Sequence, residues 1–393
     1  MNRLLALCIV VVIDVLGFGI MVPLVPYMAD RFGASPAIIT PILGTYSLCQ
    51  LLAMPLWGRL SDRFGRRPIL LSSLGGACLS YLILGYAENI WWLLASRALG
   101  GFMAGNLAAA LAYASDVSRP QERAKAMGAV GAAIGIGFMM GPAIGGLLAG
   151  DDELQANFLR PALVSAALAL FAMLLVVFVL RESHTPEQRE RHRAIAQRSR
   201  PWTLLAAQPG LRWLALAAAM LIFSQSTMES IFAIWSLNRF GLGPRAVGFA
   251  MFALALVAVL SQGLLVRLLA PRYGESRLAI AGVIANACGA LTIAFSTSFP
   301  MVIAGLALIG LGAGCFNPSA SALASRQADE GNRGAVMGTY QGGVSAARIL
   351  APLSAGAIFS SIGHNAPFVV GGLVALQACW FLLAARPHDR AGV

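Results

Sequence analysis

The sequence predicts an all-α membrane protein of twelve transmembrane helices in two six-helix repeats. Three observations carry that prediction. Of 393 residues, 58% are hydrophobic and only 11% charged, against roughly 25% charged in a soluble domain, and the mean hydropathy is +0.74. The charges cluster between apolar stretches of about 20 residues or more, the length at which a helix crosses a bilayer. An internal similarity relates the first half of the chain to the second.

Span 1, residues 4–27, is apolar except for Asp14 and is too long for a cleaved signal peptide. Spans 2 and 3, residues 41–60 and 68–87, flank the loop GRLSDRFGRRP, Gly58 to Pro68, whose arginines mark a membrane boundary and whose proline suits the first turn of a helix. Span 4, 91–112, contains Arg97. Span 5, 124–149, is rich in glycine and holds Pro142, and span 6 covers 160–180. Residues 181–210, RESHTPEQRERHRAIAQRSRPWTLLAAQPG, form the longest polar stretch, a linker between a bundle at 1–180 and a second at 211–393. Spans 7 to 12 lie at 211–235, with Gln225 and Glu229, then 245–269, 277–297, 300–323, 333–360, with Arg348, and 366–385. The rest of the chain is too short for a soluble catalytic domain.

The net charge of +11 is not a nucleic-acid footprint, because it alternates across the membrane. Of 28 Lys and Arg, 22 fall at the termini, in the linker or in loops on one side; Arg31, Arg160, Arg239 and Arg245 fall on the other; Arg97 and Arg348 lie within spans. The positive-inside rule then makes both termini cytoplasmic, and the twelve spans make the chain a multi-pass membrane protein. The six cysteines lie in or near apolar spans without metal-ligand spacing and read as small core residues. No G-x-x-x-x-G-K-[ST] motif is present and Lys125 is the only lysine, so a phosphate-cradling ATPase is excluded. The four histidines lie in loops or the tail, with no metal or catalytic constellation. No cofactor is expected.

At an offset of 210, Gly128 falls on Gly338, Pro142 on Pro352 and Glu122-Arg123 on Asn332-Arg333; near 209, Arg63 meets Arg272 and Gly65 meets Gly274. Such repeats are typical of secondary transporters. An ionisable side chain at mid-bilayer costs at least ~2.5–3.5 kcal/mol, so each needs a partner, a cavity or a task. Asp14, Arg97, Glu229 and Arg348 are the four, whereas spans 3, 6, 9 and 12 have none in their interiors and suit a lipid-facing role. A buried acid near a guanidinium can gain or lose a proton on a small rearrangement, the minimum equipment for proton coupling. In span 5, Gly137, Gly141, Gly145 and Gly146 with Pro142 allow close helix contact and a bend, hence a hinge or sliding surface. Asp62 is placed to pair with an arginine or to meet a helix N-terminus, giving a breakable latch.

On these residues the chain resembles the major facilitator superfamily. GRLSDRFGRRPIL is similar to that family's signature loop, Gly137 to Gly146 (GxxxGPxxGG) to the helix-5 motif of its drug–proton antiporters, and Arg97 with Gly100-Gly101 to the helix-4 arginine motif. IDVLGFGIMVPLVP, Ile13 to Pro26, together with ASDVSRPQERAKAMG, Ala114 to Gly128, looks most like the bacterial tetracycline-efflux branch. The resemblance implies the major facilitator fold, with helices 1, 4, 7 and 10 lining a cavity, and export driven by the proton gradient. It assigns Asp14 and Arg97 to proton coupling and Asp62, Arg63 and Arg66 to gating. Two departures bear on substrate: tetracycline exporters carry an aspartate at the position of Ser80 and a further acid in helix 9, where 277–297 has none. In the second loop Pro271 replaces the aspartate, so its latch should be weaker or made differently.

The expectation is therefore a monomeric proton-coupled exporter of amphipathic or cationic organic compounds, with protons, a small-molecule substrate and membrane lipid as its partners and no nucleic acid. Proton coupling falls to Asp14, Arg97 and Glu229. Phe18, Tyr113, Phe223, Gln225, Phe232, Trp235, Phe316 and Arg348 join Asp14 and Glu229 as cavity-wall candidates, and Gly137, Gly141, Pro142, Gly145 and Gly146 join the gating set. The rival readings are a proton-coupled importer, an exporter of one metabolite such as a sugar or siderophore, and, from another class, a membrane-embedded sensor or enzyme.

Overall fold

The structure, a computed structural model, describes residues 3–104, 106–119, 122–183, 209–327 and 333–385. The linker between 184 and 208 lies outside these. Among the described residues the chain is helical throughout, with twelve helices long and apolar enough to cross a membrane.

We number them in chain order: α1 (Arg3–Met21, continued as Val25–Arg31), α2 (Pro36–Phe64), α3 (Arg66–Gly85), α4 (Ile90–Met103, continued as Asn106–Asp116), α5 (Arg123–Ala149), α6 (Leu159–Phe178), α7 (Pro209–Phe240), α8 (Pro244–Leu260, Ser261–Leu265 and Val266–Tyr273), α9 (Glu275–Ala294), α10 (Phe299–Arg326), α11 (Arg333–Ser361) and α12 (Ala366–Ala384). Several run past the apolar stretch that announced them. α7 continues to Phe240 through Asn238 and Arg239, because a helix leaving the bilayer keeps its backbone hydrogen bonds while its side chains meet water.

Two helix junctions have no loop at all. Gly65, with φ of 105°, ends α2 and caps α3; Gly274, with φ of 80°, does the same between α8 and α9. Both need the positive φ that glycine adopts without strain, and the internal repeat matches them to each other. The Ser261–Leu265 segment of α8 is a π-helical turn, which shifts the register of everything beyond it.

The chain divides into two compact units. Unit 1 comprises Met1–Arg198 with Ser236–Phe252, and unit 2 comprises Ser199–Trp235 with Ala253–Val393. In unit 1, α1 lies along α5 and α6, α3 along α4 and α6, and α2 along α4. Its core is built from Leu7, Val10, Leu70, Leu74, Tyr113, Val130 and Val176 among others. In unit 2, α9 is sandwiched between α10 and α12. A Cβ at Gly282 would come within 2.7 Å of the Gly312 carbonyl oxygen, so these backbones touch directly, the small-residue packing that substitutes for a hydrophobic driving force in lipid. The end of unit 1 that carries Gly65 and the end of unit 2 that carries Gly274 are their arginine-rich ends.

Candidate functional site

The arginine of α4 is buried in unit 1 where two glycines, one turn further along the helix, let α4 close on its neighbours. A Cβ at Gly100 would lie 2.8 Å from the Ser80 hydroxyl of α3, and one at Gly101 would run into the Tyr46 carbonyl of α2. With glycine at both places α4 nestles against α2 and α3, and Ser80 and Ser96 exchange reciprocal hydrogen bonds of 2.9 Å, each hydroxyl donating to the other's carbonyl. Arg97 is thereby buried, 3% exposed, with its guanidinium carbon 5.8 Å from the centroid of the Tyr46 ring. Among the described residues its Nε has no hydrogen-bond partner. The phenols of Tyr46 and Tyr81 both stand within electrostatic range of Asp14 and Arg97. One turn along α1 from Asp14, the Phe18 ring lies 4.7 Å from that of Tyr46 and 5.8 Å from that of Phe138. Unit 1 thus gathers an acid, a base, two phenols and an aromatic wall.

In unit 2, Gln225 and Glu229 are one turn apart on α7. Glu229 is exposed on α7 and lies within electrostatic range of Arg348. Gln225 is 9% exposed and its Nε2 is unbonded. Next to it the Ser224 hydroxyl donates to Asn286 Oδ1 at 3.0 Å, so α9 contributes a buried amide in place of an acid.

The remaining aromatic residues lie elsewhere. Tyr113 is buried in the core of unit 1, its hydroxyl donating to the Arg181 carbonyl at 2.8 Å. Phe316 is fully buried in the core of unit 2, with Phe223 packed against that core. Trp235 donates to Asn365 Oδ1 at 2.9 Å and packs against Phe232 and Phe368.

At the arginine-rich end of unit 1, Arg66 Nη1 meets Asp62 Oδ1 at 2.8 Å and the Ser61 hydroxyl at 2.8 Å, and its Nε meets Asp116 Oδ2 at 3.5 Å. The side chain is only 7% exposed. Arg63 points away and lies over the Phe64 ring. Glu182, just beyond α6, accepts the backbone N–H groups of Arg66 and Arg67 at 2.9 and 3.2 Å.

The glycines of α5 serve two partners. Gly137, Gly141 and Gly145 face α1: a Cβ on them would strike Val15, Gly19 and Ile20. Gly146 and Pro142 face the start of α8, where a Cβ on Gly146 would come 2.7 Å from the Pro244 carbonyl oxygen and one on Gly248 would meet the Pro142 carbonyl. The same contact is reinforced by an Arg245–Asp151 ion pair of 2.9 Å, by the Arg245 N–H donating to the Gly150 carbonyl at 3.2 Å, and by Tyr27 Oη donating to the Leu242 carbonyl at 2.9 Å. All of these residues belong to unit 1.

A sequence profile of the Major Facilitator Superfamily matches residues 7–269 and again 238–393. The chain belongs to this family. Among major facilitator proteins it is 32% identical to the class C tetracycline resistance protein of Escherichia coli, over 95% of each chain. It is 29% identical to multidrug resistance protein 2 of Bacillus subtilis, over 91% of this chain and 89% of that one. Its fold matches the human organic anion transporter MFSD10 with a TM-score of 0.73 at 23% identity, covering 97% and 99% of the two chains. A bacterial homologue of the human lysosomal transporter Spinster, inward-facing and occupied, matches with a TM-score of 0.75 at 17% identity over 97% and 94%. The sequence pointed to Asp14, Arg97 and the α5 glycines; Tyr46, Tyr81, Phe138, Asn286 and Glu182, which the structure places beside candidate residues, were not among those it pointed to. A phenol in a transmembrane span was the signal available for the first two; Glu182 is 116 residues from its partner Arg66 and gave none.

Proposed function

We propose that this protein exports amphipathic or cationic organic compounds across the bacterial inner membrane in exchange for protons, with both termini cytoplasmic, and works as a monomer by alternating access. The observation that carries this reading is the mid-span grouping of Asp14 with Tyr46, Tyr81 and the buried Arg97. A carboxyl group beside a guanidinium responds to small changes in distance: as the arginine approaches it favours the carboxylate, and as it withdraws burial favours the acid. A proton taken up in one conformation is then released in the other. In unit 2, Glu229 and Gln225 favour cations; in unit 1, Phe18, Tyr46 and Phe138 offer an aromatic face. The resistance phenotypes named for the relatives support export over uptake. Ser80, tied to Ser96, and Asn286 supply no charge, so tetracycline is one compound to be tried among several.

The deciding experiment is accumulation of a compound panel, tetracycline included, in cells with and without the protein, before and after collapsing the proton gradient. Export predicts lower accumulation on expression and its recovery with the uncoupler. Higher accumulation on expression would select import, and a difference insensitive to the uncoupler would remove the proton.

A further inference from the structure

The arginine-rich ends of the two units meet one electrostatic problem in opposite ways. In both, a glycine with positive φ is followed directly by a helix, and the first residue of that helix is ion-paired to the last residue of the next. In unit 2 the pair is Glu275 of α9 with Arg326 of α10, at 2.5 Å. In unit 1 it is Arg66 of α3 with Asp116 of α4, at 3.5 Å. The positions correspond within the internal repeat, and the charges are inverted.

The inversion matters because helix ends are themselves charged. Helix N-termini favour anions and C-termini favour cations. Glu275 and Arg326 each occupy the favoured end. Arg66 and Asp116 each occupy the wrong one, and Asp62, in the last turn of α2, is a further anion at a C-terminus. The N-terminus of α3, sequence Arg-Arg-Pro, has no anion of its own. One arrives from outside the helix: the Glu182 carboxylate accepts the first two backbone N–H groups of α3, while Ser183 Oγ donates to Asp116 Oδ2 at 3.2 Å and the Tyr113 hydroxyl holds the Arg181 carbonyl.

We propose that Glu182 is a positioning residue of the first loop, supplying to α3 the N-terminal anion that α9 carries in its own sequence as Glu275. The start of the linker is then a limb of the latch: Arg66 stays seated between Asp62 and Asp116 only while Glu182 is docked. The loop of unit 2 is a self-contained clip, whereas the loop of unit 1 comes apart when one remote carboxylate leaves. The inference rests on the transporter reading only for its purpose, since the contact itself is tested without transport.

The test is hydrogen–deuterium exchange of the purified protein in lipid nanodiscs, monitored in peptides over residues 62–70 and 271–279. Losing charge-assisted hydrogen bonds in Glu182→Gln should speed exchange at 62–70 about tenfold or more, and Glu182→Asp, which keeps the charge, should recover most of the protection. Glu275→Gln, losing mainly a helix-end interaction, should speed exchange at 271–279 less than about fivefold. Adding Arg66→Gln to Glu182→Gln should bring less than the product of the two single effects. Unchanged exchange at 62–70 in Glu182→Gln, equal behaviour of the Asp and Gln variants, or independent effects of Arg66 and Glu182 would each overturn the proposal. A failure of the accumulation experiment with these results intact would remove the transport reading and leave the contact standing.

Discussion

Gly141 of α5 is where one methyl group should separate the functional contact from ordinary helix packing. A Cβ built at Gly141 lies 2.6 Å from the Cα and carbonyl carbon of Gly19 and 2.9 Å from the Ile20 nitrogen. Ordinary contact begins at 3.4 Å, so α1 and α5 must part by about 0.8 Å, and every atom in the way is backbone. Overpacking of that kind costs about 1–3 kcal/mol. Gly131, in the same helix, has nothing within 4 Å of the position its Cβ would take, and alanine there gains about 0.5–1 kcal/mol from the helix it reinforces. The same substitution nearly three turns apart should therefore have opposite signs, the variants differing by about 1.5–4 kcal/mol. At about 2–4 °C per kcal/mol for a unit of this size, Gly141→Ala should melt roughly 3–16 °C below Gly131→Ala in detergent, monitored by tryptophan fluorescence. Equal midpoints, or a less stable Gly131→Ala, would refute the account of α5 as a helix pressed backbone to backbone on α1.

Asp14→Asn keeps the shape of the side chain and removes its titration; gradient-driven transport in liposomes should be lost while the protein still reaches the membrane, and unchanged transport would remove Asp14 from coupling. Glu229→Gln should weaken resistance to cationic compounds at least about tenfold more than to neutral analogues, the worth of one desolvated charge pair, and an equal loss for both would take Glu229 out of the binding wall. At the end of unit 1 opposite the arginine-rich one, burial and then the neighbouring Asp30 push the Glu153 carboxyl above its ordinary value, partly offset by Arg31. The folded protein therefore holds a proton there that the unfolded chain has released, and stability grows as pH falls through the raised value towards the ordinary one. The loop clamped by Arg31 on the Glu153 and Ala156 carbonyls should exchange more slowly at about pH 5 than at about pH 7 after correction for intrinsic rates, and Glu153→Gln should flatten that difference.

The helices were legible because crossing a bilayer demands length and apolarity together, and both are properties of a run of residues. Their ends were less so: α2 begins at Pro36 and ends at Phe64, beyond the 41–60 read from hydropathy, since the signal stops at the hydrocarbon boundary and the helix does not. Asp14 and Arg97 announced themselves by the cost of placing charge in lipid. Tyr46, Tyr81 and Phe138 carry no such cost and look like packing until α4 is seen lying against α2 and α3. Asn286 hid for the same reason. At the second loop the structure shows an ion pair of Glu275 with Arg326 from the end of α10, and nothing local to Pro271 foretells it. Tyr113 read as a cavity aromatic from its place in span 4; the structure sets it against the start of the linker, a contact between residues 68 apart.

Unit 1 is discontinuous in the chain, and this bears on the order in which the protein is made. Residues Ser236–Phe252, which cover Gly146 and the Pro142 carbonyl, emerge from the ribosome about ninety residues after the helix they cover. During that interval the first six helices sit in the bilayer with the stripe at Gly146 facing lipid or a chaperone, and the seat for Pro244 and Gly248 is vacant. An insertion intermediate stalled in the linker is therefore an incomplete unit 1, still lacking Ser236–Phe252.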